Sequence, residues 1–237
     1  MKTLKKPSLF ILATLFAVAT CYAQTAEEIV NKNIDAIGGR ALLSSIKSVV
    51  IESSIDVNGN EAPSTTYILN GKGFKSETDF GGSKIIQCVT PSGGWSINPL
   101  VGQSTATAMP DEVVKQSQGQ LNIGGPLLDY SANGGKIELL GKDTADYKIK
   151  LTNNAGTDAT FYINMKTYMI DMIIAKLNMG GQEQETTIHF SDYRKVDNGP
   201  IMSFAQSRDL PQFTLNITQK KVEINKDIDP SIFDMPK

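Results

Sequence analysis

The order of apolar and polar positions divides the chain into many short β-rich runs separated by turn dipeptides. Val49–Val57 ends at Asn58-Gly59, and Thr65–Leu69 ends at Asn70-Gly71. Phe74–Thr78 stops near Gly81-Gly82, Lys84–Thr90 follows, and Gly94–Ile97 carries the single tryptophan, Trp95. After Gly134-Gly135 come Lys136–Leu140, Tyr147–Thr152, Asp158–Asn164, Met169–Asn178, Gln182–Tyr193, Ile201–Arg208 and Gln212–Ile224. Turn signals at this spacing predict one antiparallel meander of about eleven strands. Residues 60–64 read as a loop because of Pro63, which a central strand does not tolerate. Gly102–Ala108 reads as a small, polar loop.

Two stretches change period. Thr25 with Glu28 three residues on has the capping-box spacing. Ile29, Val30, Ile34 and Ile37 then recur at helical intervals until Gly38-Gly39. Met109-Pro110-Asp111-Glu112 opens a second helix with acids in its first turn. Val113, Val114, Ser117 and Leu121 line one face of it, and Leu127-Leu128-Asp129-Tyr130 adds an apolar plug. This is a helical insertion between two halves of a sheet. Gln182–Tyr193 alternates, with Ile188 and Phe190 on one side and Glu185, Thr187 and His189 on the other. Met169–Met179 does not: Met169, Ile173, Ala175, Leu177 and Met179 lie on one face with Asp171, and Ile170, Met172 and Ile174 on the other. Ile85-Ile86-Gln87-Cys88-Val89 is also apolar on both faces. Strands of that kind need cover on both sides. The predicted fold is mainly β with helices (α+β): a single curved sheet under an N-terminal helix and a helical lid. Either the sheet fills its own core, or it encloses an apolar cavity. The run Met165, Met169, Met172 and Met179 suits an adaptable surface of either kind.

The first 23 residues change the compartment. Lys2, Lys5 and Lys6 precede an apolar run, Leu9–Thr20, too short to span a bilayer at about 20 residues. Cys21-Tyr22-Ala23 supplies small residues for cleavage, so residues 1–23 read as a secretory signal peptide and residues 24–237 as one domain. Val18-Ala19-Thr20-Cys21 also resembles a lipobox, although Thr20 stands where Gly, Ala or Ser is usual. On that alternative the protein is an outer-membrane lipoprotein anchored through Cys21. No second run approaches membrane length.

The full chain of 237 residues carries 23 basic and 25 acidic residues. Loss of three leader lysines leaves 20 against 25, a net of −5. Scattered lysines on an acidic protein give no footprint for nucleic acid. Cys88 becomes a lone thiol flanked by Ile86 and Val89, which suits a core position better than a reactive one. One histidine and one mature cysteine cannot build a zinc site, and Asp227 and Asp229 match no calcium-loop spacing. The glycine pairs sit in hairpins, not in a phosphate cradle. His189 lies near Ser191 and Asp192, but His189 and Asp192 diverge across the strand and Ser191 has no glycine-flanked elbow. Trp95, Tyr67 and Phe74 could form a sugar platform, and a core role suits them better. No catalytic residue, metal or cofactor is expected.

The residues also resemble a family. Glu27-Glu28-Ile-Val-Asn-Lys-Asn-Ile-Asp-Ala-Ile-Gly-Gly39 opens the similarity. Ile137-Glu-Leu-Leu-Gly-Lys142 with Tyr147–Leu151, Phe161-Tyr-Ile-Asn164, and Ile188-His-Phe-Ser-Asp-Tyr193 continue it. Asp229-Pro-Ser-Ile-Phe-Asp-Met-Pro236 closes it. The chain resembles the periplasmic lipoprotein-carrier superfamily (LolA/LolB-like, outer-membrane lipoprotein-sorting proteins). The resemblance implies an incomplete barrel with a helical lid and a non-enzymatic, periplasmic carrier of lipid or lipidated protein. None of Arg40, Arg194 and Arg208 stands in the context of the family's lid arginine. Candidate wall residues for an acyl chain are Ile86, Cys88, Trp95, Met172, Ile174, Phe204, Phe213 and Leu215, with Leu121, Leu127 and Leu128 from the lid. The expected partner is a lipid or lipidated protein bound by a monomer. The alternative is a structural or adaptor envelope protein with a filled core that binds another protein.

Overall fold

The computed structural model describes residues 24–154, 158–179, 182–210 and 213–236, without the side chains of 177–179 and 182–183. The leader with Cys21, and the Gly180-Gly181 turn, lie outside the described residues. Helix α1 (Ala26–Ala36) is followed by α2 (Arg40–Ser45) and six strands. These are β1 (Ser48–Val57), β2 (Asn60–Leu69), β3 (Gly73–Phe80), β4 (Ser83–Thr90), β5 (Gly93–Asn98) and β6 (Gln103–Ala108). Helix α3 (Asp111–Ser117) runs into a 3-10 turn, Gln118–Leu121. Seven strands complete the sheet: β7 (Lys136–Lys142), β8 (Asp146–Thr152), β9 (Asp158–Asn164), β10 (Ile170–Met179), β11 (Gln182–Lys195), β12 (Ile201–Asp209) and β13 (Thr214–Ile224). A last 3-10 turn spans Pro230–Phe233.

All thirteen strands form one antiparallel sheet in the order β6-β5-β4-β3-β2-β1-β13-β12-β11-β10-β9-β8-β7. The first and last strands therefore meet in the middle, and the open edges are β6 and β7. The expected loops at 60–64 and 102–108 are strand instead. β3 pairs with β2 only from Ser64 onward, so Pro63 sits where β2 has a single neighbour, and a proline is tolerated there. Gln103–Ala108 pairs as the outermost strand.

The register carries each side chain to one of two faces, and the helices share one of them. Ile29, Val30 and Ile34 of α1 pack on Tyr147, Ile149, Leu151, Phe161 and Ile163. Val114 and Leu121 of the insertion pack on Val89 and Phe74. Pairing from strand to strand places Val89, Phe74, Ile68, Val49 and Ile224 on the same side as Ile217, Ile188, Ile173, Phe161 and Ile149. That side must be concave. Leu121 touches β4 while Leu127 and Leu128 join the cluster on β8 and β9. From β4 to β8 is nine inter-strand steps, or about 43 Å on a flat sheet. Six residues of chain reach only about 21 Å. The sheet curls until its two limbs approach the same insertion.

The α1 helix forms as the sequence requires. The Glu28 backbone N–H donates to Thr25 Oγ1 at 3.1 Å, and the Thr25 N–H donates to Glu28 Oε2 at 3.1 Å. Buried Asn33 donates from Nδ2 to the Tyr168 carbonyl at 2.7 Å, which satisfies it. In β10 the register shifts between Ile170 and Met172. Asp171 is the extra residue, so Ile170 joins Ile173 on the concave face, opposite Ile163, and not Met172 as simple alternation predicts.

Candidate functional site

The floor of the concavity is built from the four middle strands. Ile51 and Ile55 of β1, Leu215 and Ile217 of β13, Phe204 of β12 and Ile188 of β11 all face inward by register. All six are half-buried, and none belongs to the three packed clusters. The limbs on either side are roofed by α1 and by the insertion; among the described residues no helix packs on the middle in these clusters.

The insertion is tied down at several points. Gly71 N–H donates to the Leu121 carbonyl at 2.8 Å, and the Ile123 N–H to Asn70 Oδ1 at 3.2 Å. The Arg40 Nη1 group donates to the Leu128 carbonyl at 2.5 Å and to Asp129 Oδ1 at 2.8 Å. A Cβ on Gly124 would lie 2.2 Å from Leu128 Cδ2, so this turn accepts only glycine without moving Leu128. Between the insertion and the β8–β10 limb lies a cleft of about 870 Å³, open to solvent, with Lys115, Leu121 and Tyr130 on one side and Leu151, Phe161 and Ala175 on the other. That volume lies within the usual range for small-molecule sites, about 300–1,000 Å³.

The structure separates the residues named from sequence. Phe204 and Leu215 lie on the concave floor, and Phe213 lies in the connection between β12 and β13. Leu121 packs under α3, and Leu127 and Leu128 pack with α1. Ile86, Cys88 and Trp95 lie on the other, convex face, where Cys88 is opposite Trp95 and Ile86 opposite Ile97. The chain's own C-terminal segment covers them: Phe233 is buried there, and its carbonyl accepts from Trp95 Nε1 at 2.9 Å and Cys88 Sγ at 3.3 Å. Burial raises the Cys88 thiol to about 11, so it stays protonated at neutral pH. Met172 and Ile174 are convex too, half-buried and opposite His189 and Thr187. These five cannot share a wall with Phe204 and Leu215. The inward residues Ile51, Ile55, Ile188 and Ile217 were not named from sequence as wall residues. Ile188 had shown its side through alternation, but the pairing of β1 with β13 has no local signature.

Polar groups sort the same way. His189 Nε2 lies 3.4 Å from Asp209 Oδ2 on the convex face, both half-exposed. Ser191 Oγ donates weakly to the Ala205 carbonyl, and Asp192 pairs with Arg194 at 2.6 Å, so each of Ser191, His189 and Asp192 has a separate partner. Among the described residues no group of three or more His, Cys, Asp or Glu side chains could hold a metal ion. On the convex face Asp146 has a buried, unpartnered Oδ1. Burial, then the Asp171 and Asp143 carboxylates, push its pKa up to about 6. On the concave face Arg208 Nε and Gln219 Oε1 are buried without a partner.

Comparison with solved structures places the fold. The chain is similar to a DUF1329 family protein from Desulfovibrio piger, with a TM-score of 0.59 at 12% identity over 90% of this chain and 98% of the other. It is similar to a LolA superfamily protein from Nitrosomonas europaea, with a TM-score of 0.58 at 11% identity over 90% and 98%. A putative outer membrane lipoprotein-sorting protein domain from Vibrio parahaemolyticus gives 0.53 at 10% identity over 88% and 95%. No family model matches the sequence, and no curated protein matches it. The fold is shared with these proteins and is the incomplete barrel with helices expected from the sequence. No described helix is long and apolar enough to cross a membrane.

Proposed function

We propose that the protein is an exported, non-enzymatic carrier or binder of an acyl chain, from a lipid or a lipidated protein, held between the concave sheet and its helical cover. The observation that carries this reading is the uncovered apolar floor, Ile51, Ile55, Ile188, Phe204, Leu215 and Ile217. A half-buried apolar floor inside a concavity gains stability when apolar chain displaces water from it, at about 25 cal/mol per Å² covered. The fold likeness to proteins described as LolA superfamily and lipoprotein-sorting supports it. Phe204 and Leu215 are the sequence-named residues retained as wall, Phe213 as rim, and Leu121, Leu127 and Leu128 as closure. Residues 1–23 would act as the export signal and residues 24–237 as one LolA-like domain working in the periplasm.

The test is native mass spectrometry of protein purified from its own envelope, together with titration of a fluorescent fatty acid. A co-purifying lipid mass and saturable binding are expected. Ile217→Glu, which puts a carboxylate on the floor, should abolish binding while the circular dichroism spectrum is retained. Absence of both lipid mass and probe binding in the wild type would leave the adaptor reading in its place.

A further inference from the structure

On the concave face the guanidinium of Arg208 has no partner among the described residues. Of the three arginines in the chain, Arg40 pairs with Asp129 and Arg194 with Asp192. Arg208 pairs with no carboxylate among the described residues. It stands inward on β12, between Ile188 of β11 and Leu215 of β13, and its Nε is buried with no acceptor. Burial draws the guanidinium below its ordinary pKa. The acids that could have answered it point away. Asp209, the next residue, is on the convex face with His189, and Glu185, opposite Lys176, is convex as well. Glu52, Glu77 and Glu223 share that outer face. Gln219 Oε1, the other unpartnered buried atom on the concave side, lies on β13 of the same floor. Arg208 as a whole is half-buried, yet a folded chain leaves few buried polar atoms unmet, and a partly desolvated charge without a partner costs stability.

We propose that Arg208 anchors the headgroup of an anionic amphiphile, a carboxylate or a phosphate, whose acyl chain lies along Ile188, Leu215 and Ile217. The inference rests on the carrier reading above and narrows it to a ligand class. A guanidinium matches either oxyanion with paired N–H donors, and an apolar floor around one cation selects a long chain with one negative end. A neutral diacylglyceryl group offers Arg208 no such partner.

The purified protein is titrated with palmitate, 1-palmitoyl lysophosphatidate and hexadecanol, alongside Arg208→Gln and Arg208→Met, with inorganic phosphate and acetate as chainless controls. The wild type should bind at least one anionic amphiphile about tenfold or more tighter than hexadecanol, and whichever anion is preferred names the source. Both variants should lose that preference and keep hexadecanol binding. Ligand-free Arg208→Met should melt at or above the wild-type temperature, since a merely structural arginine would lower it on removal. Equal binding of the anionic and neutral chains by the wild type overturns the role of Arg208 and leaves the carrier reading standing. The role also falls if the preference persists in the variants, if Arg208→Met melts several degrees lower, or if the chainless anions bind as tightly as the amphiphiles. If no chain of either kind binds, the carrier reading fails first and Arg208 with it.

Discussion

Gly73 is a position at which one added methyl group meets a buried aromatic ring. An ideal Cβ there would lie 2.6–2.8 Å from three atoms of the Phe233 ring, well inside van der Waals contact. The backbone of Gly73 is not in the left-handed region, so alanine meets no conformational penalty and the whole effect is steric. A phenylalanine buries about 150–250 Å², which is about 4–6 kcal/mol at 25 cal/mol per Å². A compact unfolded chain trims that to about 3–5 kcal/mol, the usual cost of Phe→Ala in a core. Gly73→Ala must either lift the C-terminal segment, losing much of that term, or shift the strand, at about 1–3 kcal/mol. We expect about 3 kcal/mol, or a fall in Tm of about 6–12 °C for a chain of this size. Phe233→Ala removes the obstacle, so the double variant should be no less stable than Phe233→Ala alone. That is a coupling of about 2 kcal/mol or more. Urea unfolding followed through Trp95 reads this directly, because Trp95 is the single tryptophan and donates to the Phe233 carbonyl. Additive losses in the double variant, or no loss in Gly73→Ala, would refute the packing of Phe233 over β3.

Two further changes test other parts of the fold. Asp146 is held at about 6 by burial and by Asp171 and Asp143, above its ordinary value. Its protonated form therefore favours the native state, with stability fully present below about pH 4 and lost as pH rises through 6. Asp146→Asn should remove that decline and gain about 1 kcal/mol at pH 7.5, after a discount for solvent screening, read as Tm between pH 4 and 7.5. Thr25→Ala breaks the capping box on α1 and should cost about 1 kcal/mol, measured by urea denaturation, with Thr25→Ser restoring most of it.

The strands were legible because their turns are. Asn58-Gly59 and Gly81-Gly82 lie between β1 and β2 and between β3 and β4, and all four residues have positive φ. The capping box and the insertion helix were legible for the same local reason. The need of β4 for cover on both faces was also visible. Which element supplies the outer cover was not, because Phe233 comes from 145 residues beyond Cys88. Face assignment failed where a single residue changes the count, as Asp171 does in β10. The wall failed as a list for a related reason. Apolar residues on both faces of β4 and β10 look alike in sequence, and only the curl of the sheet separates a floor from an exterior.

The pairing of the first strand with the last has an entropic consequence. Every other pair of neighbouring strands is consecutive in the chain, whereas Ser53 meets Gln219 across 219 − 53 = 166 residues. Closing such a loop costs about 4 kcal/mol more than closing a two-residue hairpin, at about 0.6 kcal/mol per doubling of length. The sheet is thus two locally wired half-sheets joined by one long-range ladder. The 109–135 insertion joins the two half-sheets covalently through their outermost strands, β6 and β7. A chain cut within it would keep every hairpin of both halves and rely on the β1–β13 ladder, on α1 against β8 and β9 and on Phe233 over β3 to bring them back together.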